Sequence, residues 1–61
     1  MAYKVNIQLG KKIQRLRKEQ KISQEELAAK AGVHRTYMGK IERGESNPPV
    51  YTVFKIAQAL R

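Results

Sequence analysis

Cysteine, aspartate and tryptophan are absent from the 61-residue sequence, and histidine occurs once, at His34. Without cysteine the chain has neither a disulfide scaffold nor a zinc knuckle. These absences leave few groups for acid–base, nucleophilic or metal-dependent catalysis, so we expect a protein that is not an enzyme and needs no metal or cofactor. No apolar run approaches the ~20 residues of a membrane-spanning helix, and no secretory leader is visible. We therefore expect a cytoplasmic protein without a membrane partner.

The charge of the chain is strongly one-sided. Lysine and arginine together number 13 against five acidic residues, all glutamate, which gives a formal net charge of +8. A positive field of this size favours a polyanion as the partner. The hydrophobic fraction of 41% is high enough for a packed core, although a chain this short buries only ~60% of the surface that its unfolded form exposes. The composition therefore predicts one small basic domain over residues 1–61.

A first helix is predicted over residues 6–20, with Asn6 as its N-cap. Apolar residues recur in it at spacings of four and three, as on one buried helical face: Leu9, Ile13 and Leu16. Gly10 within this stretch costs ~1 kcal/mol of helix stability relative to alanine. Residues 2–4 are predicted to be disordered, as chain termini commonly are, rather than to form a binding arm.

The second helix has signals at both ends. Ser23 and Glu26 have the spacing of a capping box, in which the serine hydroxyl accepts from the backbone N–H three residues on and the glutamate accepts from the serine N–H. Gly32 fits the left-handed position that follows the last turn of a helix. The apolar residues between these ends are Leu27, Ala28 and Ala31.

A third helix is predicted over residues 35–43, with His34 as an imperfect N-cap and Gly44 at its end. Met38 and Ile41, joined by Val33 from the turn, form its narrow apolar side. Polar and basic residues fall together on the opposite side, where Gly39 reduces the bulk: Arg35, Thr36, Gly39, Lys40 and Arg43.

Two consecutive prolines, Pro48 and Pro49, predict a loop after the third helix. A fourth helix follows over residues 50–60. Its apolar residues, together with Met38, are predicted to lie in the core: Val50, Val53, Phe54, Ile56, Ala57 and Leu60. The sequence stops at Arg61 without a signal for a helix end, which we interpret as a domain edge or a truncation.

Two short helices joined by a tight turn, the second with a basic outer face, describe a helix-turn-helix over residues 23–43. The major groove of B-DNA is ~12 Å wide and admits one helix. Arg35 at the helix start can bind guanine O6 and N7 with both arms of its guanidinium, which is worth ~1–3 kcal/mol of base discrimination. Thr36 offers a hydroxyl and a methyl group, and Lys40 reaches a guanine or a phosphate one turn further on.

Phosphate contacts are expected at both ends of this motif. Ser23 and Gln24 lie at the N-terminus of the second helix, where backbone N–H groups favour an anion. Arg43 lies at the far end of the third helix, where we expect it to hold the opposite strand. Each neutralised phosphate adds roughly −0.9 to the slope of log affinity against log salt.

Several separated motifs give the chain a family resemblance: ISQEELA at residues 22–28, AGV at 31–33, IERG at 41–44 and NP at 47–48. In these residues the sequence resembles the Cro/phage-repressor (XRE) helix-turn-helix family, over residues 9–60. With HRTY at residues 34–37 it is most similar to the controller proteins of restriction–modification systems. The resemblance implies an all-α, lambda-repressor-like domain of four short helices, in which the family's fifth, dimerising helix is absent or truncated.

The same resemblance implies roles for individual residues. Those that read bases are Arg35, Thr36 and Lys40, and those that contact phosphate are Ser23, Gln24, Tyr37 and Arg43. The residue sequence alone leaves Tyr37 equally open to packing against a neighbouring helix. The resemblance also implies a structural ion pair between Arg17 and Glu42, which connects the first helix to the third.

We therefore expect a sequence-specific transcriptional regulator that binds double-stranded DNA as a homodimer on a pseudo-palindromic operator, within a restriction–modification operon. One short helix reads too few bases for selectivity, which is the reason for expecting two copies. Two alternatives remain at this stage. One is an antitoxin-type protein-interaction module with autoregulatory DNA binding, and the other is nonspecific binding of RNA or another polyanion through charge.

Overall fold

The computed structural model describes residues 4–61, and over this range the chain forms helices without strands. They are α1 (Lys4–Glu19), α2 (Gln24–Ala31), α3 (Arg35–Glu42) and α4 (Val50–Ala59). The predicted all-α fold is confirmed, and the predicted bounds of α2, α3 and α4 agree with these to within one residue. Of the predicted disordered start, Lys4 lies in α1, whereas Ala2 and Tyr3 lie outside the described residues.

The starts of α2 and α3 are fixed by side chains, as predicted. The Ser23 hydroxyl accepts from the Glu26 N–H at 2.9 Å, and the Glu26 carboxylate accepts from the Ser23 N–H at 2.8 Å. This reciprocal pair is the capping box. His34 Nδ1 accepts from the Thr36 N–H at 3.1 Å, so the imidazole caps α3 in place of the usual hydroxyl or carboxylate.

The prediction that Asn6 is an N-cap is wrong. Asn6 lies inside α1, which already includes Lys4, and only 6% of its surface is exposed. The recurring apolar residues begin at Leu9, so their spacing gave no evidence that the helix starts earlier in the chain. Asn6 is therefore a buried helical residue.

Three successive helices end in the same hydrogen-bonding arrangement. A residue with positive φ follows the last turn, and the N–H of the next residue returns to a carbonyl five positions earlier, which is the Schellman motif. The left-handed residues are Lys21 (φ 59°), Gly32 (φ 73°) and Gly44 (φ 76°). The returning bonds are Ile22 to Arg17 at 3.3 Å, Val33 to Ala28 at 3.0 Å and Glu45 to Lys40 at 2.9 Å. Lys21 is the unexpected member, because a side chain makes this conformation costly.

The core lies where α2 packs against α3 and α4, and α1 packs against α3. Its buried apolar residues are Ile13, Leu27, Ala28, Ala31, Met38, Ile41 and Ile56. Complete burial of a leucine or methionine side chain contributes roughly 1.5–3 kcal/mol. Leu27 and Met38, both with 0% exposure, therefore join α2 to α3 at the centre of the domain.

Gly10 marks a close approach between α1 and the end of α3. A Cβ atom on Gly10 would lie 2.6 Å from the Ile41 carbonyl oxygen and 2.8 Å from the Glu42 carbonyl carbon. One turn later Gln14 donates its side-chain amide to the Glu42 carbonyl oxygen at 3.3 Å. Gly10 therefore lowers the helix propensity of α1 but allows the backbones of α1 and α3 to come into contact.

The prediction that Val50, Phe54 and Ala57 belong to the core is wrong, because all three are exposed. Phe54 is 60% exposed, and Val50 and Tyr51 on the same helix are 85% and 66% exposed. Ile56, at 1% exposure, is the α4 residue that enters the core. Phe54 precedes Ile56 by two residues, which is ~200° around a helix, so the two side chains lie on opposite sides. Since α4 packs on α2 with the Ile56 side, its other apolar side is left on the surface.

Within residues 4–61, no helix combines the length and apolar character needed to cross a membrane. The same residues contain no group of three or more histidine, cysteine, aspartate or glutamate side chains arranged to hold a metal ion.

Candidate nucleic-acid interface

The turn at residues 32–34 sets α2 and α3 so that the start of α2 lies beside the exposed side of α3. Between them is a shallow surface depression, which we call the recognition depression. It is lined by Ser23, Gln24, Glu25, Arg35, Thr36, Gly39 and Arg43. Most of the residues predicted to read bases or contact phosphates therefore share one surface. Lys40 is exposed but does not line the depression, and neither does Tyr37.

Arg35 and Thr36 occupy the first turn of α3 at the rim of the depression. Both are exposed, and 68% of the Arg35 side chain is accessible. Its Nη1 atom lies 3.7 Å from a Glu25 carboxylate oxygen, an exposed and loose ion pair. An exposed guanidinium beside an exposed threonine in the first turn of a helix is an arrangement that can reach base edges in a major groove.

Gly39 forms the floor of the recognition depression. A Cβ atom there would lie 3.2 Å from Arg43 Nη1 and 3.6 Å from Gln24 Oε1. The missing side chain thus leaves room for a guanidinium and a carboxamide beside the backbone of α3. This is a more specific reason for the glycine than the reduced bulk that the sequence predicted.

Arg43 lies differently from the position that the sequence suggested. Instead of reaching outward from the far end of α3, its guanidinium turns back over Gly39 into the depression. It is bound there by Glu45, which accepts from Arg43 Nε at 2.9 Å and from Nη2 at 3.3 Å. Hydrogen bonding to Glu45 raises the pKa of Arg43, and the same bond holds the pKa of the Glu45 carboxyl below its usual range. Both groups are therefore ionised at neutral pH.

A buried ion pair lies beneath the depression. Arg17 donates from Nε and Nη2 to the two carboxylate oxygens of Glu42 at 2.8 and 3.1 Å, and from Nη1 to the Ile22 carbonyl at 3.0 Å. The Glu42 side chain has no exposure and that of Arg17 has 13%. The pair expected from the family resemblance is thus present, and it joins α1 to the end of α3.

Gln24 is a third member of this network, which the sequence did not indicate. Its Nε2 donates to Glu42 Oε1 at 2.9 Å, across from the first turn of α2 to the last turn of α3. One amide hydrogen remains for an external acceptor. No local signal identifies this contact, because the two residues are 18 positions apart. The result is that a core carboxylate orients the amide at the rim of the depression.

Ser23 keeps a hydrogen for an external acceptor as well. Its oxygen accepts from Glu26 and its backbone N–H donates to Glu26, so the capping box occupies both groups. The hydroxyl hydrogen is not used by these bonds, and a hydroxyl donates and accepts at the same time. Ser23 can therefore cap α2 and donate to a phosphate together.

A helix pair with a tight turn, a second helix with one polar, exposed side and polar donors at the start of the first defines a helix-turn-helix domain. The family model described as "Helix-turn-helix" (HTH_3) matches residues 13–61, and the chain belongs to this family. Among its relatives is the uncharacterized HTH-type transcriptional regulator y4dJ of Sinorhizobium fredii, 42% identical over 52 residues that cover 85% of this chain and 68% of the relative. Across the curated relatives, the chain spans between 30% and 77% of their length.

Solved structures of the same fold include controller proteins of restriction–modification systems. The restriction–modification controller protein C.AhdI from Aeromonas hydrophila superposes with a TM-score of 0.91 at 36% identity, over 95% of this chain and 88% of that one. The controller protein C.Esp1396I, solved as a tetramer in complex with its natural 35 base-pair operator, superposes with a TM-score of 0.90 at 29% identity, over 95% and 76% of the two chains.

Proposed function

We propose that this protein is a transcriptional regulator that binds an operator in double-stranded DNA by sequence. The observation that carries the proposal is the recognition depression, in which Ser23, Gln24, Arg35, Thr36 and Arg43 lie together beside α3. A surface built for nonspecific attraction needs only dispersed charge. Here an arginine, a threonine and an oriented amide are placed within one helix-sized contact.

Base reading falls to the first turn of α3. With α3 in the major groove, Arg35 donates in a bidentate manner to guanine O6 and N7. Thr36 beside it contacts a base edge with its hydroxyl or a thymine methyl with its own methyl group. Lys40 lies one turn further along the exposed side of α3 and reaches a second guanine or the backbone.

Phosphate binding fixes the register of α3 in the groove. Ser23 and Gln24 present a hydroxyl and an amide beside the N-terminus of α2, where the helix dipole favours an anion. Arg43, in the same depression, adds a cation to this group. Such contacts carry no sequence information, but they set where the base-reading side chains fall.

The operator is bound by two copies related by twofold symmetry. We place the contact between copies on the exposed apolar side of α4, formed by Val50, Tyr51 and Phe54. This helix packs on α2 and contributes no residue to the recognition depression, so a contact there leaves the depression of each copy free. Half-site centres about one helical turn apart, ~34 Å, then match a pseudo-palindrome.

The genes under control are proposed to be those of a restriction–modification operon, since two structural relatives are controller proteins of such systems. The action is binding without catalysis, and it takes place in the cytoplasm, where the operator is found. A metal or cofactor has no part in the proposed contacts, which are all hydrogen bonds and ion pairs.

Two arginines allow a matched test of base reading. Arg35 is 68% exposed and lies 3.7 Å from Glu25, while Arg15 on α1 is 61% exposed and lies 3.9 Å from Glu19. A preferred duplex is first selected from random sequences, and affinities are then measured by fluorescence anisotropy. Arg35→Ala should lose ~1–3 kcal/mol of binding free energy on this duplex and relax the base preference at one position. Arg15→Ala should weaken binding to all duplexes slightly and by the same factor.

Two results would contradict the proposal. The first is a selection that enriches no sequence, which would leave charge-driven binding as the better account. The second is an Arg35→Ala variant that weakens every duplex to the same extent as Arg15→Ala, because a base-reading side chain must affect one position more than the others.

A further inference from the structure

The net charge of the chain is not concentrated on the surface that is proposed to meet DNA. The two arginines that line the recognition depression each have a carboxylate partner: Arg35 lies 3.7 Å from Glu25, and Arg43 lies 2.9 Å from Glu45. The depression is therefore close to charge balance in a protein whose formal charge is +8. A protein that attracted DNA by charge alone would leave these arginines unpaired.

The pair between Arg43 and Glu45 is held in place by the backbone. The Glu45 N–H is fixed to the Lys40 carbonyl at 2.9 Å by the Schellman motif at the end of α3. Gly44 before it has φ 76° and packs so closely on α1 that a Cβ atom would lie 2.8 Å from Ile7 Cα. The segment that carries Glu45 is thus pinned between α3 and α1, and its carboxylate is delivered to the arginine two residues earlier.

This geometry leaves one edge of the guanidinium available. Arginine has five N–H donors, and Glu45 occupies Nε and one hydrogen of Nη2. The free Nη1 is the atom nearest to Gly39 in the floor of the depression. A phosphate aligned with that edge can bind without displacing Glu45. A phosphate that approaches from elsewhere meets the carboxylate or has to break two charge-assisted hydrogen bonds.

We propose that Glu45 is a specificity-determining residue, which weakens binding to arbitrary DNA by holding Arg43 while permitting its contact in the operator complex. This inference rests on the proposed function. In the operator complex, the base contacts of α3 fix the register and align one phosphate with the free edge of Arg43. Arbitrary DNA has no fixed register, so the phosphates sample the carboxylate as often as the guanidinium. The ion pair itself adds little to folding stability, as is usual for exposed pairs.

The test compares two substitutions that change the charge by the same amount. Glu45→Gln removes the carboxylate at the depression, whereas Glu19→Gln removes one from an exposed arginine pair on α1, where the two atoms lie 3.9 Å apart. Each variant and the wild type are titrated with the selected duplex and with a scrambled duplex of equal composition, over a series of salt concentrations. Thermal melts confirm that both variants fold.

Glu45→Gln should tighten binding to the scrambled duplex about fivefold, the effect of one unit charge about 4 Å away in water. Binding to the selected duplex should change less than twofold. The slope of log affinity against log salt on scrambled DNA should steepen by about 0.9, since Arg43 becomes free to neutralise a phosphate. In an Arg43→Ala background, Glu45→Gln should no longer steepen the slope of log affinity against log salt on scrambled DNA. Glu19→Gln should leave the ratio of the two affinities unchanged.

Two outcomes would overturn the inference, and they differ from failure of the proposed function. One is equal tightening of both duplexes by Glu45→Gln, as a bulk charge effect requires. The other is the same effect with and without Arg43. If instead the wild type bound selected and scrambled duplexes equally, the proposed function would fail, and the inference with it.

Discussion

The same substitution at two buried glycines is predicted to have different effects on stability. Gly10 and Gly39 both lie inside helices, α1 and α3, and both are buried. Helix propensity alone predicts that alanine stabilises each helix by ~1 kcal/mol. The two positions differ in the atoms that would surround the added methyl group. At Gly10 these are backbone atoms of Ile41 and Glu42, and at Gly39 they are the ends of two long side chains.

The magnitude follows from what would have to move. The methyl group of Gly10→Ala would lie 2.6 Å from the Ile41 carbonyl oxygen, so α1 and α3 must separate. Separation also strains the Arg17–Glu42 ion pair, which spans the same two helices. Overpacking costs typically 1–3 kcal/mol, and with both helices displaced we expect a net loss of about 2 kcal/mol after the gain in propensity. The total free energy of unfolding of a domain of this size is about 3–9 kcal/mol. A loss of about 2 kcal/mol should therefore lower Tm by about 8–16 °C.

Gly39→Ala should leave stability unchanged or raise it by up to ~1 kcal/mol, because the flexible end of Arg43 can shift slightly and Gln24 stays at ordinary contact distance. The added methyl group fills the floor of the recognition depression and displaces the Arg43 guanidinium, so affinity for a selected duplex should fall about tenfold, or ~1.4 kcal/mol. Urea denaturation followed by circular dichroism measures stability, and anisotropy measures affinity. If Gly10→Ala raised the unfolding free energy by ~1 kcal/mol, or if both variants lost the same amount, the close approach of α1 and α3 would be refuted.

The remaining predictions concern the end of α1 and the surface of α4. Lys21→Gly should stabilise the fold by about 1 kcal/mol, because φ 59° is costly for a residue with a Cβ atom; a denaturation midpoint that stays unchanged or falls would contradict this. Phe54→Ser should abolish dimerisation while leaving the melting temperature of the monomer within a few degrees, since the side chain is 60% exposed. Analytical ultracentrifugation measures the first effect, with the exposed Gln8 on α1 replaced in Gln8→Ser as the control, and a dimer that persists in Phe54→Ser would place the contact elsewhere.

The features that the sequence predicted correctly are those whose cause lies within a few residues. The capping box at Ser23, the imidazole cap at His34 and the left-handed glycines at the ends of α2 and α3 all depend on bonds that span five residues or fewer. Such bonds form wherever the chain turns, whatever packs against it. The pairing of Arg17 with Glu42 spans 25 residues, and it was reached through family resemblance instead.

Position in three dimensions accounts for what the sequence left open or misplaced. Phe54 and Ile56 are equally apolar in the sequence, and only the side of α4 that meets α2 is buried. From the sequence alone, Gly10 only lowers helix stability, whereas in the structure it allows α1 to contact α3. The sequence likewise gives no partner for the Gln24 amide, which in the structure lies 2.9 Å from Glu42 at the end of α3. Local hydrogen bonding sets where α2 and α3 start and where α1, α2 and α3 end. Which of their faces are covered, and whether an arginine points out to solvent or back over a glycine, depends on contacts between residues far apart in the chain.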